Sequence, residues 1–269
     1  MVKKLYKHEI LAWLRVLTIV YGIVLTIAAL HRVIQCFENE SIPYAIIIGS
    51  ATFMYVIGLV GCIVTPFIFG IVRFHKNLFS GEGYLTLTLP VTTSAHLLVK
   101  VSTAVLFSFI SVLVCLLSVV IISMGDVLSE ICKAISYILS QIPKEASGHV
   151  ALYCAEILLI LLVQATTEYL LYDTCLCIGQ LFRKNRILAA IGVYFAFYAA
   201  SQILGTVFSV ILILVEPIAL LESILLFLQK HPYGFFHITL CSIAVLTAVL
   251  GFVFYLICHR IIDKKLNLE

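Results

Sequence analysis

The chain has 269 residues, 62% of them hydrophobic and 12% charged, with a formal net charge of +3. Soluble domains carry roughly twice that share of charged residues, because much of their surface faces water. A soluble enzyme, a disordered chain and a disulfide-stapled secreted domain are therefore excluded, and the small net charge argues against a nucleic-acid binder. The composition fits an all-α polytopic membrane protein embedded in a lipid bilayer.

The first 15 residues read as an interfacial helix. Tyr6, Ile10, Trp13, Leu14 and Leu17 share one helical face, while Lys4, Lys7 and Arg15 lie largely opposite. Such a basic amphipathic helix suits the membrane surface, with Trp13 at headgroup depth. Six apolar runs follow, at about 16–30, 44–72, 97–124, 150–181, 187–215 and 235–258. Each is predicted to be a transmembrane helix, and together they make 1–269 a single transmembrane domain. The first run follows basic residues, as a signal peptide would, but leads into His31 and Arg32 without a small-residue cleavage site, so it reads as a retained span. The second carries Pro66 near its inner end, which predicts a kink or tilt.

Orientation follows from the basic residues. The N-terminus, the 73–100 loop, the 180–186 loop and the C-terminal tail hold 13 of the 17 Lys and Arg residues. The positive-inside rule then puts both termini in the cytoplasm of a multi-pass plasma-membrane protein. On the outer side, Leu128, Ile131, Ile135, Ile138, Leu139 and Ile142 have helical spacing. That segment lies on the outer surface or extends the third span. Residues 212–236 hold Glu216-Pro217 and then an apolar stretch too short to span, which suits a re-entrant outer hairpin between the fifth and sixth helices or a long outer loop.

Chemistry-bearing motifs are scarce. His8-Glu9 lacks the second histidine of a zinc-protease helix, and there is no nucleophile elbow and no phosphate-binding loop. No catalytic residues and no metal ligands are assigned. The histidines read as isolated, mostly in loops, which leaves a membrane-embedded enzyme without facing catalytic groups. Most of the nine cysteines read as small apolar filler, Cys175 and Cys177 included. Cys36 and Cys132 are both predicted outside, where they could pair. Ser80-Gly81-Glu82-Gly83, taken alone, reads as a bend in an inner loop. The fourth span holds Glu156, Gln164, Thr167 and Glu168 within an arc of ~120° at 100° per residue. Acidic groups at that depth usually face a bundle interior or cavity, so the stripe is a candidate translocation path or helix seam.

Two segments resemble a known family. Residues 77–100 read NLFSGEGYLTLTLPVTTSAHLLVK, and the turn between the fourth and fifth spans contains GQLF followed by Arg183 and Lys184. Both are similar to permease subunits of bacterial ABC transporters of the type-2 exporter class, as found in Firmicutes. The resemblance implies that 73–96 is a cytoplasmic coupling loop, with Gly81, Glu82, Gly83, Tyr84, Leu89 and Pro90 docking onto a separate ATP-binding subunit. It also implies that ATP and Mg are bound by that partner, with no cofactor on this chain. A second permease subunit, the same or related, would complete the path. Rival readings are an ion-coupled carrier or channel using Glu168 and a non-transporting assembly or sensor protein.

Overall fold

A computed structural model describes residues 2–37, 41–80, 83, 91–123, 126–141, 147–182, 184–214, 226–227 and 232–265. These residues are almost entirely helical and include no strand. Helix α1 spans Val2–Gln35, α2 Ile42–Phe79, α3 Thr93–Ser123, α4 Asp126–Gln141, α5 Ser147–Gly179, α6 Arg186–Leu214 and α7 Pro232–Lys265. All but α4 are long and apolar enough to cross a membrane. At 1.5 Å per residue the longest, α2, extends about 57 Å, well beyond a hydrocarbon core of ~30 Å. Large apolar side chains point outward along these helices; Ile19, Phe53, Leu113, Leu204 and Leu246 are all more than 60% exposed. Continuous apolar surface of this kind is intolerable in water and is solvated by lipid. The chain is an all-α, multi-pass membrane protein.

The helices fall into two compact units, residues 1–142 and 143–269. In the first, α1, α2 and α3 pack on one another and α4 follows α3. α1 turns Glu9, Trp13, Leu17, Val24, Ala28 and His31 inward, a stripe at three-, four- and seven-residue steps. Trp13 is 1% exposed, stacked on Phe107 at 5.3 Å and edge-on to Phe69 at 4.9 Å. The amphipathic face of the N-terminal segment thus packs on α2 and α3, with the Trp13 ring buried between two aromatics. The helix is also continuous from Val2 to Gln35, with no break between its basic start and its apolar run. α2 likewise continues through the buried Pro66.

Hydroxyl side chains tie this unit together. Tyr21 reaches Ser111 at 2.7 Å and the Phe107 carbonyl at 3.2 Å, Tyr55 reaches Ser118 at 2.8 Å, and His31 meets Thr52 at 2.9 Å. Such contacts replace the hydrophobic drive that lipid cannot supply. Positions in contact rise together on α1 and α3 and run oppositely on α1 and α2, so α1 and α3 are parallel with α2 returning between them.

The second unit repeats the up-down-up plan. α7 packs along α5, and α6 packs on α5. The register is nearly constant: Tyr153 donates to the Tyr233 carbonyl, Thr167 to that of Thr247 and Thr174 to that of Phe254, each pair 80 residues apart. A constant offset means that α5 and α7 run in the same direction. Cys177 and Cys258 continue this register with sulfurs 3.1 Å apart, and all nine cysteines, Cys36 and Cys132 included, are free thiols.

Candidate functional site

The connection between α2 and α3 is anchored by a buried charge cluster. Glu9, 5% exposed on α1, accepts two hydrogen bonds from Arg73 on α2, at 2.6 Å from Nε and 3.0 Å from Nη2. The Lys100 ammonium on α3 lies 3.8 Å from the same carboxylate. A paired fork of this kind fixes both direction and distance, which one point charge cannot do. Arg73 and Lys100 flank the connection on its two sides, so Glu9 holds together the helices that enter and leave it. Tyr6 adds a hydrogen bond to Ser102 at 2.7 Å.

Of the expected loop residues, Gly81, Glu82, Tyr84, Leu89 and Pro90 lie outside the described residues. Gly83 is buried, and its N–H donates to the Ser80 carbonyl at 2.7 Å. A Cβ there would collide with the backbone of Leu78, so the turn after α2 accepts glycine alone. α3 restarts at Thr93, capped by Thr92: the carbonyl accepts from Ala95 and His96, and the hydroxyl accepts from the Ala95 N–H at 3.4 Å. His96 is buried close to this point, and neither of its ring nitrogens bonds a described residue.

The GQLF element has a similar physical basis. A Cβ on Gly179 would lie within 2.8 Å of Ala190 backbone atoms, so glycine lets the end of α5 approach the start of α6. Asn185 closes the turn at φ +54°, and its carbonyl accepts the Ala189 N–H at 2.9 Å. Asparagine tolerates that left-handed conformation better than most residues. Arg183 lies outside the described residues, and Lys184 is exposed.

The α5 stripe divides in two. Glu156 and Thr167 face α7: Glu156 accepts from His237 at 2.8 Å, and Thr167 sits against Gly251, where a Cβ would come within 2.6 Å of its hydroxyl. Gln164 and Glu168 lie further round the helix and bond each other at 3.0 Å. One turn beyond Glu168, Tyr172 contacts Tyr194 on α6. Glu156 and Thr167 therefore occupy a helix seam, while Gln164 and Glu168 form a pair of their own.

The expectation of isolated histidines is overturned. His149 and His237, 88 residues apart in sequence, meet at 2.9 Å, with Tyr153 and Tyr233 stacked against them. The local signal was present: positions 149, 153 and 156 share a face of α5, and 233, 237 and 241 share a face of α7. What sequence could not show was the register that lays one face on the other. No group of three His, Cys, Asp or Glu residues suited to a metal occurs among the described residues. No family model, curated protein or solved structure matches the chain.

Proposed function

We propose that this chain is the permease subunit of an ATP-driven ABC exporter. It sits in the plasma membrane with both termini in the cytoplasm. A separate ATP-binding subunit supplies the energy and binds ATP and Mg, and a second permease subunit completes a path along the dimer seam. The observation that carries this reading is the Glu9–Arg73–Lys100 cluster beneath the α2–α3 connection. A loop whose two supporting helices are bound to a third cannot move alone. Force applied to it by a closing ATPase dimer reaches α1, α2 and α3 together. The Gly81–Pro90 and Gly179–Lys184 segments, similar to those of type-2 exporters, support the same assignment.

Co-expression with an ABC-type ATP-binding subunit, sought first among the neighbouring reading frames, provides the test. Wild-type chain is expected to co-purify with it and to stimulate its ATP turnover. Replacing Gly81 and Gly83 with tryptophan should abolish both while the chain remains folded in detergent. An intact complex with normal ATP-coupled transport after that change would remove the coupling-loop assignment. The alternative, an ion-coupled carrier or channel using Glu168, requires transport by the purified chain alone and its loss in Glu168→Gln.

A further inference from the structure

The first turns of α5 and α7 bring two histidines that the exporter reading does not use against Glu156 of the α5 stripe. His237 Nδ1 lies 2.8 Å from Glu156 Oε1, and its Nε2 lies 2.9 Å from His149 Nδ1. An ionised carboxylate only accepts hydrogen bonds, so His237 Nδ1 carries the hydrogen. In the neutral ring Nε2 is then an acceptor, and His149 Nδ1 must donate to it. Both donors point the same way, from the half-buried His149 towards Glu156. The rings are held in place: Tyr153 stacks on His237 at 4.2 Å, Tyr233 stacks on His149 at 5.3 Å, and the Tyr153 hydroxyl donates to the Tyr233 carbonyl at 2.9 Å.

The end of this chain carries a second, independent signal. Glu156 Oε2 is buried and accepts no hydrogen bond from any described residue. The Cys241 thiol also approaches the carboxylate, 3.9 Å from Oε1. A buried carboxylate oxygen without a donor has lost hydration and gained no bond in return. Among the described residues, the other titratable groups facing the trio are Tyr153 on α5 and Tyr233 and Cys241 on α7. Among its described residues beyond Tyr198, α6 adds none.

We propose that Glu156, His237 and His149 form a proton relay, a proton-binding site in the α5–α7 seam. A proton taken up at His149 Nε2 lets His149 Nδ1 pass its hydrogen to His237 Nε2. His237 Nδ1 then passes its hydrogen to Glu156 Oε1. Each ring gains one N–H bond and loses one, the carboxylate gains one O–H bond, and the trio goes from one negative charge to none. Proton release retraces the same bonds. The relay is independent of ATP coupling and gives the second helical unit a proton-dependent state.

The test uses the full chain in lipid nanodiscs with ¹⁵N-labelled histidine. At neutral pH, His149 and His237 are both expected as Nδ1–H tautomers, with a scalar coupling across the N–H···N bond. In Glu156→Leu that preference is lost and Nε2–H forms appear. On acidification, infrared difference spectra should show a carboxylic-acid band that is missing in Glu156→Gln. The band should also be lost in His149→Phe, which keeps a ring against Tyr233 but closes the proton entrance. An Nε2–H tautomer on wild-type His237 at neutral pH would overturn the relay without recourse to any variant. So would an undiminished acid band in Glu156→Gln or in His149→Phe.

Discussion

Glu9 shows how one side chain can set the geometry of three helices. Its carboxylate spends both oxygens on Arg73, and Lys100 approaches the same charge. Removing one partner of a buried pair leaves charge uncompensated and costs about 3 kcal/mol or more. Glu9→Gln is therefore expected to lower the unfolding midpoint in detergent clearly. The Glu9→Gln/Arg73→Gln double variant should be less destabilised than the sum of the two singles. Strict additivity in that double-mutant cycle would mean that the two groups do not stabilise one another. Asn185 makes a smaller, conformational case. Its positive φ is strained for a β-branched residue, so Asn185→Val should destabilise by about 1–3 kcal/mol, while Asn185→Gly should be nearly neutral in the same thermal measurement.

At the scale of helices, the seam between α5 and α7 depends on residues without conspicuous chemistry. Gly251 accommodates the Thr167 hydroxyl, and threonine hydroxyls bond carbonyls across the seam at 3.2 Å and 3.0 Å. Gly251→Leu should push the helices apart and destabilise by about 1–3 kcal/mol, as overpacking does. Deletion of a hydroxyl in Thr174→Val, which preserves shape, should cost less. Reversal of that order in thermal unfolding would mean that hydrogen bonding, and not close approach, holds the seam. The same elements show why sequence reveals helices more readily than their pairing. Runs of apolar residues long enough to span a bilayer are visible one by one, because the period and length rules act along the chain. Pairing is decided by where glycines, threonines and tyrosines meet across gaps of 80 residues or more, and in sequence these look like filler. Trp13 illustrates the difference: its helical face was legible, but Phe69 and Phe107 as its partners were not. The histidine pair was missed for the same reason. The coupling-loop residues were marked by family-like spelling, and Gly83 is the member whose backbone environment explains the choice of residue.

At the scale of the whole chain, each of the two units holds three long apolar helices, the first and third parallel and the second running the opposite way. If all six apolar helices cross, the chain ends on the side where it began, and the basic residues predict that this side is the cytoplasm. Cys36 follows α1 and Cys132 lies on α4; both are exposed free thiols, and the same charge bias predicts both outside. Buried thiols such as Cys62, Cys177 and Cys258 are shielded by packing, but Cys154 and Cys241 are exposed on their helices, so a cysteine-free background is needed. In that background, a cysteine restored at 36 or 132 should react with a membrane-impermeant maleimide in intact cells. Ser80→Cys, at the end of α2, should react only after the cells are permeabilised. Because α2 separates Cys36 from Ser80 and α3 separates Ser80 from Cys132, the pattern reports the crossings of α2 and α3. Labelling of Ser80→Cys in intact cells, with protection at 36 and 132, would invert the orientation. It would also place the α2–α3 connection out of reach of any cytoplasmic ATPase.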